Sequence, residues 1–149
     1  MRGCAASLAL FILMTPFLAT PSLAADHTVQ MPTKSTDGEM VFEPILTKLA
    51  MGDTIFFVST DKGHQVSTIE TMMPPGAPLL QSADDQTLTV TFDTERAYVL
   101  KCAPHFGMGT VAVVIVGQTP PANLDAIKTG KLPKKARERV DTALVAASL

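Results

Sequence analysis

The run Val111-Ala112-Val113-Val114-Ile115-Val116 is apolar at every position and β-branched at all but one. β-Branched side chains are stiff about χ1 and pack best on a pleated surface, and a run with no polar face has no side to give to water. It therefore reads as the central strand of a sheet, and the fold has to be built around it. The residues upstream agree. From Gln86 to Phe92, Leu88, Val90 and Phe92 alternate with Thr87, Thr89 and Thr91, the period of a half-buried strand. Thr54 to Ser59 and Arg96 to Cys102 are further strand candidates, and Asp37-Gly38, Met51-Gly52-Asp53 and Asp61-Lys62-Gly63 are turn signals. Short strands at this spacing between His27 and Val116 predict an all-β sandwich. Met72-Met73-Pro74-Pro75-Gly76 predicts a long connection, its two methionines filling gaps in the packing rather than carrying chemistry.

The texture changes after Gly117. Ala122 to Lys128 has helical composition and is stopped by Gly130, and Pro133 suits the start of a second helix. In that helix Ala136, Val140, Leu144 and Ala147 fall on one narrow stripe, which predicts helices packed on the outside of the sandwich and no second domain. The 149 residues suffice for one ordinary core. A formal net charge of -2 excludes a nucleic-acid binder that works by bulk charge.

Arg2, the apolar run Ala5 to Leu18, and small residues at Ser22 and Ala24 have the order of a secretory signal cleaved after Ala24. The apolar run is shorter than the ~20 residues that span a bilayer. The expected organisation is a leader over 1–24 and a single domain over 25–149, with the sandwich at about 25–117 and the helical tail at about 118–149. Cys4 leaves with the leader, and Cys102 is then alone in an oxidising compartment. Such a thiol is buried and inert, used as an intermolecular bridge, or held by a metal.

Cys102-Ala103-Pro104-His105 points to the metal. Cys and His three residues apart, on a turn between two strands, can face one centre, and His64 follows another turn upstream. A thiolate with two imidazoles suits copper cycling between oxidation states, or zinc. The spacing alone is weak, since a buried Cys beside an unrelated surface His gives the same pattern. No paired carboxylates, Ser/His/Asp set, phosphate loop or zinc Cys cluster accompanies it, so hydrolysis and phosphoryl transfer have no support.

Asp61-Lys62-Gly63-His64 with Val66, Tyr98-Val99-Leu100-Lys101-Cys102, and Pro104-His105-Phe106-Gly107-Met108-Gly109 resemble the pseudoazurins, small periplasmic blue-copper proteins of the cupredoxin fold. So do Asp37-Gly38-Glu39-Met40-Val41-Phe42-Glu43-Pro44 and the tail from Pro121-Ala122-Asn123-Leu124 to Pro133-Lys134-Lys135-Ala136. The resemblance implies a cupredoxin-like Greek-key β-sandwich with two C-terminal α-helices and one copper ion per chain. It implies a periplasmic one-electron carrier, not an enzyme, that meets reductases such as copper nitrite reductase transiently and needs neither nucleic acid nor, once mature, a membrane. His64, Cys102 and His105 match the equatorial copper ligands, His105 being the one whose ring edge reaches the surface, and Met40 matches a position packed near that imidazole.

The family has an axial methionine five residues after the second histidine, and here that position is Thr110. Four outcomes are open: an axial oxygen from Thr110 or a water, no axial ligand, Met108 as substitute, or a site that no longer holds copper. An oxygen donor should lower the reduction potential relative to methionine, and an empty position should raise it. Gln65 stands where the family usually has Asn, and Ala103 where it often has a hydroxyl residue, so a hydrogen bond between the ligand loops is lost. The alternative function is therefore copper binding or buffering by an altered site. Around His105, Pro104, Phe106, Gly107 and Met108 form a candidate apolar docking patch. Lys34, Lys62, Lys101, Lys134 and Lys135 match a basic ring around it, with Gln81 replacing one family lysine.

Overall fold

The computed structural model describes residues 23–149, so the expected leader lies outside the described residues but for Leu23 and Ala24, and Cys4 lies outside them too. In chain order the strands are β1 (Asp26–Gln30), β2 (Lys34–Ser35), β3 (Gly38–Glu39), β4 (Leu46–Leu49), β5 (Asp53–Val58), β6 (Ser67–Thr68), β7 (Leu88–Phe92), β8 (Arg96–Lys101) and β9 (Val111–Val116). Helices α1 (Leu124–Thr129) and α2 (Lys134–Ala146) follow, and single 3-10 turns cover Glu70–Met72 and Phe106–Met108. One sheet has the order β1-β5-β7 and the other β4-β9-β8-β6, with β2 and β3 as a separate hairpin.

The central-strand expectation for β9 holds: it lies between β4 and β8, and all six of its residues are buried. Alternation explains why it needs no polar face. Ala112, Val114 and Val116 join Tyr98 and Leu100 of β8 in the core between the sheets, with Val29, Ile55, Phe57 and Phe92 opposite. Val111, Val113 and Ile115 join Ala97 and Val99 on the other side, against Ile127 of α1 and Ala136, Val140, Ala143 and Leu144 of α2. The predicted helical stripe is thus the buried one, and the tail covers the outer face of the second sheet. Met72 and Met73 are buried gap-fillers, as expected; Met72 packs so closely on Gly130 that a Cβ there would come within 2.5 Å of its Cε.

β1 runs parallel to β5 and β4 parallel to β9. Parallel neighbours cannot be joined by a hairpin, so the chain crosses between sheets at both places. The start of β1 is pinned by Asp53, whose buried carboxylate accepts hydrogen bonds from Ala25 N (2.8 Å) and Ala50 N (2.9 Å) and faces His27 Nε2 at 3.3 Å. The Ala25 and Ala50 N–H groups, and then His27, hold this carboxyl below the usual range against the opposing effect of burial. A folded-state pKa below the unfolded value means a stabilisation present above the unfolded pKa and lost as pH falls through the folded one. Thermal melts of the metal-free chain should show Asp53→Asn less stable than the parent at neutral pH, with the gap closing below about pH 4. A gap that is unchanged in acid would overturn this role.

Candidate metal centre

Cys102 follows the last residue of β8 and is tied to the residue that precedes β9 through its N–H, which donates to Thr110 O at 3.0 Å. The chain then turns at once: His105 N–H donates to Cys102 O (3.1 Å), and Met108 and Thr110 N–H donate to His105 O (3.0 and 3.2 Å). This closes Cys102 to Thr110 into a compact loop that aims both the thiol and the imidazole inward.

His64 comes from the loop between β5 and β6. Gly63 before it has φ +87°, a conformation that favours glycine, and any Cβ there would sit 3.9 Å from His105 Cε1. Asp85 holds the turn: its Oδ1 accepts from Gly63 N (2.6 Å) and His64 N (3.2 Å), and its own N–H donates to His64 O (2.8 Å). Ser82 does the same for Val66 through its hydroxyl and backbone N–H (2.9 and 2.8 Å). Neither residue is marked by the ligand motifs, because both act from some twenty positions away. Since such outer partners typically carry 10–100-fold in metal affinity, Asp85→Ala is expected to lose copper to a chelator about 10–100-fold more readily, with the fold intact by circular dichroism.

The three side chains converge. Cys102 Sγ lies 3.5 Å from His105 Nδ1 and 3.9 Å from His64 Nδ1, and one donor atom of each residue lies within 4.8 Å of the others. The imidazole centroids are 4.9 Å apart. A thiolate and an imidazole bound to one first-row ion at about 2.3 and 2.0 Å, with tetrahedral to trigonal angles, are about 3.5–3.8 Å apart, so the gaps fit a single small ion. No other trio of His, Cys, Asp or Glu side chains among the described residues converges this way.

Burial pushes the Cys102 thiol pKa up, against the N–H groups of Gln65 and His105 directed at the sulfur. Binding a metal must therefore expel a proton. Burial, and then the neighbouring His105, push the His64 pKa down, which keeps its imidazole neutral and its lone pair available. His64 and Cys102 are fully buried while His105 is half-buried, so one imidazole edge meets the surface.

Thr110 is fully buried, and its hydroxyl donates to Met40 O at 2.6 Å. Arg139 of α2 donates to the same carbonyl (2.8 Å), to Gly109 O (2.6 Å) and to Glu39 O (3.1 Å). Met108, the substitute considered for the axial place, is 44% exposed on its 3-10 turn, which puts it at the surface with half-buried Phe106. The side chain of Gln65 turns to Asp84 (3.0 Å), and Ala103 is exposed with no side chain to bridge to it. Of the five lysines, Lys101 stacks over the Phe106 ring (5.2 Å) and Lys135 packs on Gly109. Lys62 and Lys134 are exposed, and exposed Lys34 faces Glu39 at 3.8 Å. Gln81 is exposed as well.

Residues 29–117 match the family described as copper binding proteins, plastocyanin/azurin family. A pseudoazurin from Paracoccus pantotrophus is 48% identical over 127 residues, which are 85% of this chain and 87% of that protein. Among solved structures, the pseudoazurin of Methylobacterium extorquens AM1 superposes with a TM-score of 0.77 at 41% identity, covering 82% of this chain and 98% of its own. Native pseudoazurin from Hyphomicrobium denitrificans gives 0.76 at 38%, covering 81% and 97%.

Proposed function

Since the chain belongs to the pseudoazurin family of cupredoxins, copper-binding electron-transfer proteins rather than enzymes, we propose that it works in the periplasm, carrying single electrons to reductases such as copper nitrite reductase. In this reading residues 1–24 are removed, residues 25–149 form one domain, and His64, Cys102 and His105 hold the copper. The observation that carries it is the convergence of the Cys102 sulfur with two imidazole nitrogens, one ring buried and one at the surface.

The ion supplies the one-electron chemistry when bound. The chain braces the two loops that would hold it. Asp85 and Ser82 brace the His64 loop, and the backbone bonds among Cys102, His105 and Thr110 brace the other. His105 brings the site to the surface beside Phe106 and Met108, where a partner can approach closely. Lys62, Lys101, Lys134 and Lys135, with Lys34 on the neighbouring hairpin, steer the encounter, so turnover with a partner reductase should fall as salt rises.

One equivalent of Cu(II) added to the mature chain is expected to produce an intense visible thiolate-to-copper band and to block Cys102 from thiol reagents. A colourless mixture with Cys102 still reactive would defeat the assignment. The turn of the Gln65 side chain towards Asp84 leaves no side-chain hydrogen bond between positions 65 and 103 and favours a second reading, copper buffering by a looser site. Rapid electron self-exchange supports the carrier, whereas fast loss of copper to a mild chelator supports the buffer.

A further inference from the structure

We propose that export creates a second copper site, at the new amino terminus. The inference rests on removal of the leader after Ala24, and it concerns residues with no part in the His64, Cys102, His105 centre. The mature chain then begins Ala25-Asp26-His27, a free α-amine with histidine as the third residue. That spacing offers one ion four nitrogens in a plane: the amine, the two amide nitrogens of Asp26 and His27, and the imidazole Nδ1. A square-planar nitrogen set selects Cu(II) or Ni(II).

The fold already gathers the two ends of this tripeptide. Ala25 N lies 2.8 Å from Asp53 Oδ1, and His27 Nε2 lies 3.3 Å from Asp53 Oδ2. A proton on Nε2 facing the carboxylate leaves Nδ1 bare, which is the nitrogen the chelate requires. A metal-bound histidine commonly gives its other N–H to a carboxylate in this way. A coordinated amine keeps two N–H bonds, so Asp53 can still accept from it. The histidine ring is 33% exposed and open to an incoming ion.

Chelation has a local cost. The Asp26 and His27 amides and the ammonium together release three protons, and the first rungs of the ladder, Asp26 opposite Thr54 and His27 opposite Ile55, must open. β1 is an edge strand, so only its pairing with β5 is disturbed, at about 1 kcal/mol per hydrogen bond. Val29 and Met31 remain buried further along and keep the strand in place. The site has no sulfur, so its Cu(II) should lack the intense thiolate band of the first centre.

The test uses protein purified from the periplasm of an expressing bacterium, its starting residue fixed by intact mass. With the His64, Cys102, His105 centre already filled by one equivalent of copper, a titration with Cu(II) should bind a second equivalent and give a tetragonal, nitrogen-split EPR signal. His27→Gln should lose this second equivalent and keep the first. So should a chain with one extra residue ahead of Ala25, which displaces the amine but leaves every side chain in place. Persistence of the second equivalent in either variant, or uptake of one equivalent only by a chain that starts at Ala25, overturns the site and leaves the carrier reading untouched. A mature chain that starts elsewhere overturns the site together with the processing it rests on.

Discussion

Thr110→Met is expected to move the reduction potential of the copper-loaded protein by an amount on the order of 60 mV, the equivalent of about 1.4 kcal/mol of changed preference for one oxidation state in a one-electron couple. The hydroxyl of Thr110 is pinned. It donates to Met40 O at 2.6 Å, and Arg139 Nη1 holds the same carbonyl at 2.8 Å from the opposite helix. With its proton spent there, the threonine oxygen has only lone pairs to offer, and it sits on Cβ, closer to the backbone than a methionine sulfur. Methionine would delete this hydrogen bond and put a soft, flexible thioether in a fully buried position. The sign of the shift is diagnostic. A rise means that an oxygen favouring Cu(II) stood there in the parent, and a fall means that the axial place was empty. Voltammetry of the two proteins side by side decides it, and equal potentials would show that position 110 has no hold on the metal in either form.

What was legible in the sequence is what is local. The β9 run, the Leu88-Val90-Phe92 alternation and the Ala136-Val140-Leu144 stripe each carry their own period, and each is buried on the predicted side, Leu88 and Val90 only partly. The His and Cys residues stood out because the expected leader takes Cys4 with it, and the one remaining thiol has two imidazoles in motifs that resemble one family. The short strands β1, β4 and β6 did not stand out, because they are completed by partners far along the chain, two of them in parallel register. The braces of the site were hidden for the same reason. Asp85 in Asp84-Asp85-Gln86 reads as one more polar turn until the fold lays it across the His64 backbone. Arg139 reads as the solvated face of a helix until α2 packs beside Met40 and Gly109. Ala103 and Gln65 were visible as departures, but the turn of Gln65 to Asp84 was not.

The largest expected loss of stability comes from Asn123, in the sequence just one polar residue within the helical segment from Ala122 to Lys128. β6 is only two residues long and pairs with Lys101 and Leu100 of β8, and Ile69 N–H extends the contact to Val99 O. Beyond that point the edge of β8 has no strand beside it, and the buried Asn123 side chain takes the place of one. Its Oδ1 accepts from Ala97 N (2.9 Å), and its Nδ2 donates to Ala97 O (2.7 Å) and to Met72 O (3.1 Å). Asn123→Ala leaves one N–H and two carbonyls unpartnered among apolar side chains. At about 1–3 kcal/mol for each unsatisfied buried group, partly relieved by relaxation, the loss should be about 3–5 kcal/mol. For a domain of this size that lowers the midpoint of thermal unfolding by roughly 10–20 °C. Asn123→Asp should not rescue it, because it keeps the acceptor for Ala97 N but sets a carboxylate against two carbonyl oxygens. Ala97 precedes Cys102 by five positions along β8, roughly 16 Å of extended chain, so below the transition the visible spectrum of the copper-loaded variant should match the parent's. A melt within a few degrees of the parent would mean that another group, such as a water, takes over all three bonds, and an altered spectrum would mean that the edge of β8 and the copper ligands move as one unit.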